Sequence, residues 1–206
     1  MRIDGNDAGA GSFDRQPPRD VRAGALPTRN PEEPHMGILF NSIKTFDDLF
    51  VSVLQQIYYA ERQIAEQLEI MIGKATSPEL KQGFEQHLGE TRNQYSRLQE
   101  VFRMHGTEAK EATCPAIDGI LKAGNSLAGD IDDKQVLDAG LTHAAQLVEH
   151  YEIAQYGTLI AWAKEMGRND CASVLQQNLE EEKATDARLT RLAEARLNRQ
   201  AETQTA

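Results

Sequence analysis

Two cysteines in 206 residues, Cys114 and Cys171, are too few and too far apart for a zinc ribbon or a Cys-x-x-Cys redox pair. They are expected as free, buried thiols in a reducing compartment, which makes the cytoplasm the default location. No run reaches the roughly 18 apolar residues of a membrane span, and the N-terminus lacks the apolar core of a secretory signal. Aromatics are scarce at 6%, and alternating Val-rich runs are missing, so little is available for building sheets. Lys and Arg number 22 against 32 Asp and Glu, a net charge of -10. Such a surface does not fit nucleic acid or an anionic membrane as partner, because both are gripped by clustered Lys and Arg. It suits solubility and the attraction of cations.

What is abundant is the material of helices: aliphatic residues, Ala, Glu, Gln, Arg and Lys. The length fits a single buried core with appendages, and an all-α fold is expected. Residues 1–36 stand apart. Gly, Pro, Asp and Arg dominate there, and Pro17, Pro18, Pro27, Pro31 and Pro34 forbid a continuous helix, so a disordered tail is predicted, or an over-extended start with Met36 as the initiator.

From Thr45 onward the pattern is helical. Thr45 with Asp48 forms a capping box, and Phe50, Val53, Ile57, Ile64, Leu68 and Met71 recur at three-four spacing up to Gly73. Ser77 and Pro78 open a second helix as cap and first residue, with Phe84, Leu88, Leu98 and Phe102 inward, and Gly106 stops it. The short break between the two predicts an antiparallel hairpin. Residues 107–132 then form a long crossover holding a small helix near Cys114-Pro115. A third long helix runs from about Asp133 to Met166, and a fourth, capped by Asn169, continues through Leu175, Leu179, Leu189 and Leu192. Two hairpins joined by one long crossover predict a ferritin-like four-helix bundle over residues 37–199, with a disordered end at 200–206.

The chemistry is carried by polar residues that fall on these apolar stripes. Glu61 continues the inward face of the first helix. His87 and Glu90 are three apart on the second, Glu149 and Glu152 three apart on the third, and Glu182 and Asp186 four apart on the fourth. Glu61 and Glu90 each lie about 14 residues from the first turn, roughly 21 Å along the bundle, and Glu152 and Glu182 flank the second turn at about the same depth. Single acids beside a stripe usually stretch to water. Four helices aiming acids at one depth instead suit two metal ions, which need two ligand layers about a helical turn apart. His150 is about 100° around its helix from Glu149 and is expected at the surface. Tyr156, one turn beyond Glu152, is a candidate proton or radical neighbour.

The strings IKTFDDLF (43–50), YAERQ (59–63), FEQHLGET (84–91), CPAIDGI (114–120), VEHYEIAQYGTL (148–159) and LEEEKATD (179–186) resemble the YciE/YciF family of bacterial ferritin-like proteins over roughly residues 41–198. That resemblance implies a role in stress responses, a ferroxidase-type di-metal centre and a homodimer. The chain departs from the usual ferritin Glu-x-x-His pattern, carrying His-x-x-Glu at His87 and Glu90 and Glu-x-x-x-Asp at Glu182 and Asp186. The expected ligands are Glu61, His87, Glu90, Glu149, Glu152, Glu182 and Asp186 around two iron ions, with manganese or zinc as alternatives and dioxygen or peroxide as oxidant. A non-catalytic scaffold with one structural metal or none, and a manganese catalase-like activity, are the competing readings.

Overall fold

The computed structural model describes residues 43–203, so the expected tail at 1–36 and the last residues of the chain, 204–206, lie outside the described residues. The fold is all-helical and ferritin-like. Its first helix, α1 (Phe46–Lys74), begins at the predicted capping box: Thr45 Oγ1 accepts from the Asp48 amide at 3.0 Å, and Asp48 Oδ2 accepts from the Thr45 amide at 2.9 Å. Ser77 caps α2 (Pro78–His105), which ends at Gly106 with φ of 84°, a left-handed conformation that only glycine adopts at no steric cost. The crossover carries α3 (Pro115–Gly129) and leads to α4 (Lys134–Glu165), where Asp133 Oδ1 takes two first-turn amides at 2.7 and 3.0 Å. Gly167, with φ of 73°, turns the chain into α5 (Asn169–Leu192).

Two boundaries differ from expectation. Arg168, not Asn169, occupies the cap of α5, because the tight turn at Gly167 already bonds the Arg168 amide to Ala163 O at 2.7 Å, which draws Asn169 into the helix. At the other end the helix does not stop at 199. A π-helical turn, Ala193–Leu197, carries it into α6 (Asn198–Glu202), and Leu197 is buried there against α4.

Contacts at the helix ends fix the topology. Phe46 of α1 stacks edge-on against Trp162 of α4, whereas Thr76, just beyond α1, bonds to Asp138 near the start of α4. These two helices are therefore antiparallel. The end of α2 meets the start of α5 where Arg168 reaches His105, and the other end pairs Glu79 with Arg196. Every long helix thus packs antiparallel to its neighbours, in the ring α1, α2, α5, α4, and α3 lies across α1 and α4. Phe50, Leu54, Phe84, Leu98, Phe102, Leu159 and Leu175 are fully or almost fully buried between the four. At about 1.5–3 kcal/mol for each such side chain, burial dominates the stability of the bundle. Cys114 and Cys171 are both free and buried.

Candidate metal centre

Each long helix contributes to one buried polar cluster at mid-height. Helical spacing places Glu149 and Glu152 on one face of α4, with Tyr156 a turn beyond, while α1 supplies Glu61, α2 His87 and α5 Glu182. All of these are 2% exposed or less. One ligand atom from each of His87, Glu149, Glu152 and Glu182 lies within 4.8 Å of the others. Glu61 adjoins this group beside Glu152, and its Oε1 accepts from the Tyr156 hydroxyl.

Most of the oxygens have nothing to bond. Both oxygens of Glu152 and of Glu182, together with Glu61 Oε2 and Glu149 Oε2, lack hydrogen-bond partners. His87 Nε2 lies 3.1 Å from Glu149 Oε1 but is not aligned to donate to it. Among the described residues no Lys or Arg pairs with these four carboxylates. The physical consequence is a set of perturbed protonation equilibria. Burial pushes the Glu61 carboxyl up to about 8, against the opposing pull of the Tyr156 hydrogen bond and His87. Burial, then the charges of Glu182 and Glu61, raise Glu152 well above the usual carboxylate range. Burial also raises Glu182, opposed by His87 and reinforced by Glu149 and Glu61. Burial resists charging His87, yet Glu149 and Glu90 beside it hold its pKa well above the usual value. Buried groups left in this condition need protons or cations.

The two remaining candidates stand at the margin. Glu90 is half-buried and its oxygens are engaged by Gln86 at 2.8 Å and Thr185 at 3.2 Å, with His87 Nδ1 3.8 Å away. Asp186 is half-buried outside the cluster, where Gln146 Nε2 and His150 Nε2 each lie 3.4 Å from its Oδ1. His150 is exposed, as its angle on the helix predicts.

Sequence reasoning missed the polar chain behind Tyr156. Asn178, fully buried, donates from Nδ2 to the Tyr156 hydroxyl at 3.0 Å and accepts on Oδ1 from Arg97 at 3.0 Å. Arg97 in turn grips Glu181 with two bonds of 2.7 and 2.8 Å. The available signal was an Asn inside the stripe from Leu175 to Leu179, one turn before Glu182.

Four antiparallel helices with one long crossover, enclosing a histidine and several carboxylates, define a ferritin-like carboxylate protein. The model of the family described as "Domain of unknown function (DUF892)" matches residues 45–202, and the chain belongs to that family. Protein YciF of Escherichia coli (strain K12) is 38% identical over 162 residues, covering 78% of this chain and 98% of that protein. The crystal structure of the E. coli stress protein YciF matches with a TM-score of 0.71 and 39% identity, covering 73% of this chain and 96% of that one. YcfI from Rhodopseudomonas palustris matches with a TM-score of 0.72 and 49% identity, over 73% and 96% of the two chains. No helix among the described residues is long and apolar enough to cross a membrane.

Proposed function

We propose that the cluster holds two metal ions, iron by preference with manganese or zinc as alternatives, and that the protein oxidises Fe(II) with dioxygen or peroxide in stress protection. The observation that carries this reading is the convergence of buried carboxylate oxygens that no donor in the protein satisfies. Hard carboxylate oxygens with one imidazole suit Fe(II) and Mn(II). His87, Glu149, Glu152 and Glu182 would hold one ion, and Glu61 beside Glu152 extends the donor set toward a second. The stress setting is supported by the name of the E. coli relative.

His87, Glu149, Glu152 and Glu182 would hold iron whose oxidation from Fe(II) to Fe(III) would supply the electrons that reduce the oxidant. The chain's residues keep the carboxylates fixed and the site dry. Tyr156 occupies Glu61 Oε1 and leaves Oε2 without a partner, while Asn178, pinned by Arg97, presents its amide N–H to the tyrosine oxygen and so leaves the phenol proton to Glu61. Groups of this kind commonly tune metal affinity by about 10–100-fold.

Anaerobic titration of the metal-free protein with Fe(II), with bound iron counted after desalting, tests the proposal. Two irons per chain support it. Fewer than two overturn it, and none would favour a scaffold without catalytic metal.

A further inference from the structure

Two adjoining cavities run between α1, α3 and α4, sharing Gln67, Met71, Leu121 and Val148 in their walls. One reaches the exposed Asn125, and the other reaches His87 and Glu149 of the cluster. The polar side chains are few: Asn125 at the surface, Gln67 in the walls of both cavities, and His87 and Glu149 beside the cluster. Every other lining residue is aliphatic, Met or Gly. At the mouth the two amides are locked reciprocally, Gln67 Nε2 donating to Asn125 Oδ1 at 2.8 Å and Asn125 Nδ2 to Gln67 Oε1 at 2.9 Å. At the inner end His87 and Glu149 are 2% and 1% exposed and carry polar atoms without hydrogen-bond partners. The passage is narrow where α3 meets α4, for a Cβ on Gly124 would stand 3.0 Å from Ala144 Cβ.

We propose that this seam is the entry path for dioxygen, a small apolar gas, and that peroxide does not travel along it. The inference rests on the di-metal reading given above. Peroxide would have to shed its water hydrogen bonds along a wall whose one amide between the surface and the cluster, Gln67, is already bonded to Asn125, whereas dioxygen has none to lose. The Gln67–Asn125 pair sits at the surface, where water can replace both bonds, so opening the mouth costs little. A larger or charged oxidant gains nothing from such a gate.

Methyl relaxation in the metal-free protein under dioxygen pressure tests the path without any reaction, because the gas is paramagnetic. The methyls of Met71, Leu121 and Val148 are expected to relax several-fold faster than those of Leu54 and Leu98, which are fully buried elsewhere in the core. Equal relaxation overturns the proposal. In anaerobically iron-loaded protein, Leu121→Trp should slow oxidation by dioxygen about tenfold while leaving bound iron and oxidation by peroxide unchanged. Asn125→Ala, an exposed change that does not threaten folding, should leave the dioxygen rate unchanged, because the mouth already opens at little cost. An unchanged dioxygen rate in Leu121→Trp, an equal slowing with peroxide in that variant, or a slowed dioxygen rate in Asn125→Ala overturns the path. Enhanced methyl relaxation in a protein that binds no iron would instead sink the di-metal reading alone.

Discussion

Glu181 and Glu182 are neighbours in sequence but about 100° apart around α5, and their environments diverge accordingly. Glu181 is 28% exposed and gripped by Arg97, whereas Glu182 is wholly buried with both oxygens unpartnered. Glu182→Gln is therefore expected to lower Fe(II) or Mn(II) affinity by more than about tenfold, and Glu181→Gln to leave bound metal unchanged. Equilibrium dialysis of the two variants distinguishes them, and equal losses would show that the cluster is not the binding site. Helix-face arithmetic is enough to place Glu61, Glu149, Glu152 and Glu182 inward, since spacing alone fixes the face of a regular helix. It does not reach Asn178 or Arg97, whose roles depend on what α2 and α5 present to one another across the bundle. Nor does it separate Glu182 from Asp186, because a turn of drift along α5 moves the latter to the half-exposed edge, toward Gln146.

The helix ends were the most legible elements, because caps are local chemistry: Thr45 with Asp48, Ser77 with Pro78, and the glycines at 106 and 167 announce themselves within a few residues. The clasp between the two hairpins was not. Asp138, 3% exposed, accepts from the Thr76 amide at 2.8 Å, the Thr76 hydroxyl at 2.7 Å and the Ser77 amide at 2.8 Å, tying the α1–α2 turn to the first turns of α4 across 62 residues of sequence. Asp138→Ala leaves these three donors without their carboxylate and should cost about 3 kcal/mol, read as a lowered denaturant midpoint with unchanged slope. A loss within experimental error would mean that water replaces the aspartate freely. The crossover is anchored by Glu111, whose carboxylate takes Arg62 Nε and Nη2 at 2.8 Å each and is held below the usual carboxylate range chiefly by that bond. A depressed folded-state pKa gives stability that is complete above the unfolded value and lost as pH falls through the folded one. The neighbouring Ala112 amide, bonded to Gln55 O at 3.2 Å, should therefore lose protection from hydrogen exchange below about pH 4. Glu111→Gln should abolish this pH dependence, and a protection factor independent of pH in the unsubstituted protein would contradict the assignment.

At the scale of the whole molecule, the centre is a local excess of buried negative charge inside an otherwise apolar bundle. Metal-free, Glu61, Glu152 and Glu182 can be accommodated only by taking up protons, since burial raises all three above the usual carboxylate range. For a carboxyl with a raised folded-state pKa, stability is greatest while the group is protonated and declines as pH rises from the unfolded value toward the folded one. Removing such a group should relieve the fold. Glu152 is the cleanest choice, because neither of its oxygens is hydrogen-bonded, whereas Glu61→Leu would also strip the Tyr156 hydroxyl of its acceptor. Replacing a buried ionisable group by an apolar one of similar volume is often stabilising by about 1–4 kcal/mol. Metal-free Glu152→Leu is thus expected to melt above the unsubstituted protein, with the difference larger at pH 8 than at pH 5. Metal reverses the order, because an ion that binds only the native state stabilises it by mass action, and the variant has lost part of the binding site. Thermal melts of both proteins by circular dichroism, with chelator at pH 5 and at pH 8 and with anaerobic Fe(II), give every value needed. A Glu152→Leu protein that is strongly destabilised without metal, yet keeps its full iron-induced shift, would make Glu152 a structural partner and place the bound iron on other residues.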